Sequence, residues 1–321
     1  MARWDVVSFG ETMIRLAVPA GERLETARLL EVGIGGAESN VMVALARLGR
    51  RTAWASVLPR NVWGERIARE LAWHGVDVSL VRWVDQGRVG VYYLDVGVQP
   101  RPTAVLYDRA SSAVAQVDAA TFPIEWVEQA RWLHATGITP ALSAGCATIL
   151  RALVERARRA GVGVSFDVNY RARLWGPEVA ARTLEWFCRN ATVLFCGEED
   201  ARTLWGLEGP AESVVDALAA RFAAEVTVLT RGEGGALAVT RSGRRCVAPA
   251  LRVEVVDRVG AGDAFAAGFL HGYLEDGDVE RALAYGTALA ALKLTVRGDL
   301  ALVSPSELAI ALAQASRTIL R

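Results

Sequence analysis

The sequence predicts an α/β chain in which a mostly parallel central sheet is covered by helices on both faces and carries a small β-sheet lid. Three observations predict it. Short β-branched runs alternate with segments of helical period through most of the 321 residues. Two stretches, 12–34 and 88–109, break that alternation and have no helix to cover them, which marks a small sheet standing off the main body. Polar residues gather just after the strand ends, and open parallel sheets bind ligands outside the carboxyl ends of their strands.

Each element follows from local pattern. Strands are expected at 5–9, 52–57, 132–136, 163–167, 193–196 and 226–230. Between the first two, Val41, Ala44, Leu45 and Leu48 share one face of a helix over 40–48, with Ser39 as N-cap and Gly49 as the C-terminal stop. Within 88–109, VGVYYLDV and TAVLYD read as two strands around a turn-rich 97–102. Val89, Val91, Val105 and Leu106 give that lid apolar edges able to pair with a second subunit, so a homo-oligomer through the lid is expected. The polar clusters are Glu11, Thr136 with Gly137, Asp167 with Asn169, 197–200, and 230–232. No linker or repeat divides the chain, so 1–321 is expected to be one domain.

Lysine plus arginine equals aspartate plus glutamate at 36 each. That balance gives no electrostatic case for nucleic acid or an anionic membrane as partner, and points to a small ligand. No window holds the roughly 18 apolar residues that cross a bilayer, and the first ten residues show no signal-peptide cleavage pattern. Cys146, Cys188, Cys196 and Cys246 form no CxxC pair, so a reduced, cytoplasmic setting with buried thiols is expected. His74, His134 and His271 lack zinc-site spacing. Lys293 is the only lysine and lies outside any GxxxxGK[ST] pattern. No strand runs into an intact GxGxxG either. Both common nucleotide motifs are therefore absent.

The strongest chemical signal is 256–265, VDRVGAGDAF, a glycine-rich turn opening a helix to about residue 274. Glycines let backbone approach a phosphate, and the free amides of a first helical turn attract anions. A carboxylate there, Asp263, is odd for simple phosphate binding. It is sensible if it takes a proton from an attacking hydroxyl while the amides hold the transferring group. Read alone, the segment also fits a helix-capping aspartate after a glycine turn.

Residues 257–263 resemble the D-x-x-G-A-G-D signature of the ribokinase-like (PfkB) carbohydrate kinases. The segment GGAESN at 35–40, leading into VALARLG, resembles that family's sugar-binding signature, and the two occur in the right order. The resemblance covers almost the whole chain and implies a ribokinase-like αβα sandwich with a β lid, with ATP and Mg2+ as cofactors. It implies Asp263 as catalytic base, the amides of Gly260, Ala261 and Gly262 as the anion hole, and Gly35, Gly36 and Asn40 on sugar hydroxyls. On the nucleotide side it implies Gly197 together with Thr230, Arg231, Gly232, Gly234 and Gly235, a segment that by itself is a hairpin turn. Two departures stand out. The family's N-x-x-E is replaced by Gly197-Glu198-Glu199-Asp200, leaving Asp200 as the metal-side carboxylate, and its adenine-side Ala-Asn pair by Ala284-Tyr285.

A sugar acid, unlike a neutral sugar, needs a cation for its carboxylate, and bidentate arginine is the usual solution. Arg109 and Arg171 both fall on the ligand side. Their surroundings resemble one branch of the family, the 2-keto-3-deoxygluconate kinases, in GGAESN, Gly90-Val91-Tyr92, Tyr107-Asp108-Arg109, HATGITPALS, DVNYRARLW and Arg297-Gly298-Asp299. By that resemblance Tyr92, Tyr107, Arg109, Arg171 and Asp299 contact a keto acid, which is phosphorylated on O6 to 2-keto-3-deoxy-6-phosphogluconate. A fructokinase- or ribokinase-type enzyme and a non-catalytic sugar-binding protein on this fold are the alternatives.

Overall fold

The computed structural model describes residues 2–97 and 100–319, without the side chains of 315–319. In chain order the first half contains β1 (Trp4–Phe9), β2 (Met13–Ala17), β3 (Glu31–Gly35), α1 (Ala37–Arg47), β4 (Thr52–Pro59), α2 (Val62–Trp73), β5 (Val76–Asp77), β6 (Val81–Val84), β7 (Val91–Asp95), β8 (Ala104–Asp108), β9 (Ala130–Thr136), α3 (Ile138–Leu142) and α4 (Ala144–Arg159). There follow β10 (Gly163–Asp167), α5 (Pro177–Asn190), β11 (Val193–Gly197), α6 (Glu198–Trp205), α7 (Ala211–Phe222), β12 (Val226–Thr230), β13 (Ala236–Thr240), β14 (Arg245–Ala248), α8 (Ala261–Asp276), α9 (Val279–Leu294) and α10 (Pro305–Ile319).

The main sheet has ten strands in the order β14-β13-β12-β11-β10-β9-β1-β4-β5, with β6 also on β4. It is parallel from β12 through β5 and antiparallel only at the β12–β13–β14 edge. All six expected strands are present. The short strands β5 and β6 and the β13–β14 edge were not expected, being too short or too near a turn to show a period. Strand residues alternate between two cores: Val6, Trp54 and Phe195 pack under α1, α8 and α9, while Val7, Phe9 and Phe166 pack under α4, α5 and α7. In α4 the stripe Ile149, Leu150, Leu153, Val154 and Ala157 is buried, and Ser143 caps the helix by accepting from Cys146 N at 3.1 Å.

The second sheet has four strands, β3-β2-β7-β8. Its register aligns Gly33, Arg15, Tyr92 and Tyr107 in one row, so their side chains share a face. The expected edge valines differ in position: Val89 is buried, Val91 and Val105 are half-buried, and of that set Leu106 alone is exposed. Part of the expected 97–102 turn, residues 98 and 99, lies outside the described residues.

One cap is corrected. Helix α1 starts three residues earlier than its apolar stripe suggests, with Gly36 rather than Ser39 at the N-cap. Ser39 is buried in the first turn, where it accepts from Thr12 Oγ1 at 2.7 Å and donates to Gly36 O at 3.0 Å. Gly49, at φ +87°, ends the helix as expected. The four cysteines are unpaired and buried. Among the described residues no helix is long and apolar enough to cross a membrane.

Candidate active site

The glycine-rich turn and α8 behave as their residues require. Gly260 sits at φ +82°, a conformation that favours glycine, and a Cβ there would overlap the backbone of Asp299. Helix α8 begins at Ala261, and Asp263 falls in its first turn. The N–H groups of that turn have no i−4 carbonyl inside the helix, and Ala261 N makes only a long 3.4 Å turn contact to Arg258 O. Small residues let α8 and α9 approach closely: Gly268 lies against the backbone of Tyr285 and Gly286 against Phe265.

Asn40, from the other end of the chain, reaches the same point. Its Nδ2 donates to Asp263 Oδ2 at 2.7 Å, and its Oδ1 accepts from Gly36 N at 3.3 Å. The amide thus holds the carboxylate and its own loop, and Asn40 also lines the cavity in which the sequence suggested a sugar hydroxyl. Burial raises the Asp263 pKa above 3.8, opposed by Asn40, Arg171 and Lys293.

A cavity of about 90 Å³ between this turn and the lid is lined by Gly35, Gly36, Asn40, Tyr92, Tyr107, Arg109, Arg171, Asp299, Gly260 and Asp263. All eight residues expected on the sugar side are brought together there with the candidate base. A Cβ on Gly35 would overlap the Tyr92 hydroxyl and the Asp299 carboxylate, so glycine there leaves room for both. Tyr92 and Asp299 are both buried at this wall, with Asp299 Oδ1 3.1 Å from Arg15 Nε. Burial pushes the Asp299 carboxyl up to about 6, with Arg15 opposing. A wider vestibule of about 820 Å³ shares Val105, Tyr107, Arg109 and Arg171 with this cavity.

The two arginines are not equivalent. Arg109 is paired with buried Glu11, its Nε donating at 2.8 Å. Arg171 is exposed and makes no ion pair among the described residues. Its charge instead acts on Asp167, Asp200 and Asp263. Sequence reasoning singled out Glu11 only as a polar residue after a strand, and missed its role as counter-charge. It also missed Glu38, buried beneath the site and accepting from Thr136 Oγ1 at 2.8 Å and Thr139 Oγ1 at 2.6 Å. Burial lifts Glu38 to about 7.

A second cleft of about 560 Å³ is lined by Gly197, Thr230, Arg231 and Gly232, together with Glu198, Glu199 and Arg202. Gly234 and Gly235 complete the hairpin turn into β13 without lining the cleft. Tyr285 lines none of these cavities. Its ring stacks on His271, with centroids 5.7 Å apart, between α8 and α9. Asp200 accepts from Tyr170 N at 3.2 Å. Burial and the charges of Asp263 and Asp200 push Asp167 up to about 8. Among the described residues no group of three acidic, histidine or cysteine side chains is arranged to hold a metal.

Residues 4–306 match the family described as pfkB family carbohydrate kinase. The chain is 46% identical over 303 residues to a 2-dehydro-3-deoxygalactonokinase of Haloferax volcanii, covering 94% of this chain and 95% of that one. It is 32% identical over 317 residues to a 2-dehydro-3-deoxygluconokinase of Bacillus subtilis, covering 98% and 97%. The crystal structure of a Thermotoga maritima 2-dehydro-3-deoxygluconokinase superposes with a TM-score of 0.91 at 32% identity, over 97% of this chain and 98% of the other. The chain belongs to the pfkB family of carbohydrate kinases, and its fold and relatives define it as an ATP-dependent sugar kinase.

Proposed function

We propose that this kinase phosphorylates the terminal hydroxyl of a 2-keto-3-deoxy sugar acid, 2-keto-3-deoxygluconate in the first reading, with Asp263 as general base. The observation that carries it is one cavity lined by a buried-side carboxylate at a helix N-terminus and by two arginines. Asn40 occupies Asp263 Oδ2, leaving Oδ1 for the substrate hydroxyl proton. The first-turn amides of α8 and its dipole offset the charge that develops on the transferring phosphoryl group. Arg171, with Arg109 beside it, holds the substrate carboxylate, and Tyr92, Tyr107 and Asp299 take its hydroxyl and keto oxygens. The nucleotide lies along the cleft of Gly197, Thr230, Arg231 and Gly232.

Magnesium fits this edge as an ion held by phosphates and water rather than by a protein cage. Asp200 and Asp167 would hold it through water, and a divalent cation would relieve the repulsion that raises Asp167. When bound it would neutralise phosphate charge.

The Haloferax relative supports a second reading, the C4 epimer 2-keto-3-deoxygalactonate. ADP release with both epimers, fructose and ribose tests the proposal. Turnover of a keto acid and its loss in Asp263→Asn are expected. Preference for fructose or ribose would overturn the sugar-acid reading.

A further inference from the structure

Lys293, in the last turn of α9, is fully buried although it lines none of the clefts described above. Burying an ammonium is costly unless it is paired and hydrogen-bonded. Here Nζ donates to the carbonyl oxygens of Asp257 at 3.0 Å and Val296 at 3.2 Å. One carbonyl opens the loop that runs to Gly260, and the other opens the turn that runs to Asp299. The same loop hangs from the end of α9, through Val256 N and Asp257 N to Leu294 O at 2.8 and 3.2 Å.

Around this ammonium carboxylates and a second cation gather. Arg15, from the lid strand β2, lies 2.6 Å from Asp257 Oδ2 and 3.1 Å from Asp299 Oδ1. Asp257 also accepts from Val259 N at 3.0 Å and Gly298 N at 3.1 Å. Two cations thus face Asp257 and Asp299, and Lys293 also acts on Asp263. Without Lys293 negative charge would build up directly behind the turn that must receive an anion. Burial lowers the Lys293 pKa below 10.5, and Asp257 and Asp299 act against that fall.

We propose that Lys293 is a positioning residue for phosphoryl transfer, a cation tethered inside the fold that clamps the 257–260 loop to the 296–299 turn and keeps the first-turn amides of α8 aimed at the phosphoryl group. The proposal rests on the reading of that turn as the anion hole. It assigns Lys293 no contact with substrate, so its loss acts on kcat rather than on ground-state binding.

The test is steady-state kinetics of Lys293→Met, which keeps length and volume and removes charge. Its kcat is expected to fall about tenfold or more, since small misplacements of reacting groups cost up to about a hundredfold, with both KM values changed less than about threefold. Lys293→Ala should fall likewise and be restored in a dose-dependent way by propylammonium chloride, whose atoms replace those removed, but not by sodium chloride at equal ionic strength. If the Met variant does not fold, Lys293→Ala prepared in propylammonium decides by the same dose dependence. A kcat within about twofold of the parent, a loss confined to KM, or an Ala variant indifferent to the amine overturns the proposal. Asp263→Asn separates the two readings. If that variant keeps its turnover, the reading of this turn as the site of transfer falls and takes Lys293 with it. If Asp263→Asn is inactive while Lys293→Met is unimpaired, the role of Lys293 alone falls.

Discussion

Asp263 is pulled in two directions, upward by burial and downward by Asn40, Arg171 and Lys293, with burial prevailing. In the general-base role proposed for it, Asp263 must be unprotonated. Activity is therefore lost as pH falls through a pKa above the usual aspartate value of about 3.9. Asn40→Ala removes a hydrogen bond that favours the carboxylate, so the acid limb of the kcat/KM profile should move to higher pH. An unmoved limb would contradict the pairing as described. Asp263→Asn should lower kcat by about 10²–10⁴ with KM nearly unchanged. The arginines divide stability from binding. Arg171→Ala should raise KM for the keto acid by about ten- to a hundredfold, the worth of a charged hydrogen bond, without lowering Tm. Arg109→Ala strands buried Glu11 and should also destabilise the fold, by about 3–5 kcal/mol. Thermal melts of both variants check this, and equal Tm losses would count against it.

At the scale of elements, the lid sheet does two things. Its inner row, Arg15, Tyr92 and Tyr107, faces the site, and Arg15 ties β2 to the glycine-rich loop through Asp257. Its outer strands β3 and β8 are edges, and Val32 and Leu106 are exposed at 39% and 56%. An exposed edge with apolar side chains is a pairing surface. We propose that two copies associate through it. Leu106→Glu should then shift the protein to monomer in size-exclusion chromatography with light scattering, and a parent protein that is already monomeric would refute the idea.

For the whole molecule, the sheet edge concentrates carboxylates that burial holds protonated to unusually high pH. Glu38 is lifted from 4.5 to about 7, Asp167 from 3.8 to about 8 and Asp299 from 3.8 to about 6. In each case the folded state binds more protons than the unfolded chain between the two values. Stability from these groups is therefore fully present below about pH 4 and is lost as pH rises towards 8. Asp5 and Asp77, lowered against burial by their hydrogen bonds and arginine partners, act oppositely and lose their contribution in acid. The ligand-free protein should thus melt highest in mildly acidic buffer. Magnesium with ATP, by countering the clustered charge, should raise Tm more at pH 8 than at pH 5.5. Calorimetry across that range checks both, and a Tm rising steadily to pH 8 without ligand would contradict the linkage.

Much of this architecture is legible in local pattern. The β-branched runs locate six strands of the central sheet, because a buried parallel strand is apolar over its length. Interrupted helical rhythm locates the lid. GGAESN and GAGD stand out because glycine at a ligand-facing turn is a local requirement: Gly35 makes room for Tyr92 and Asp299, and Gly260 needs positive φ. The short strands β5, β6 and β14 carry no period of their own and exist through their neighbours. Ser39 reads as a cap from composition, yet the helix begins earlier because Gly36 supplies the extended turn. What only the tertiary structure decided are pairings between distant segments. Asn40 meets Asp263 across 223 residues and Arg15 meets Asp257 across 242, while Glu11 engages Arg109 and Lys293 clamps two turns. Such contacts leave no periodic trace, because each member is a lone polar residue whose partner is chosen by how the layers pack. The sequence by itself determined the sheet, the lid and the two glycine turns through short-range sterics and burial, whereas the charge balance of the site arises only when folding brings its separate segments together.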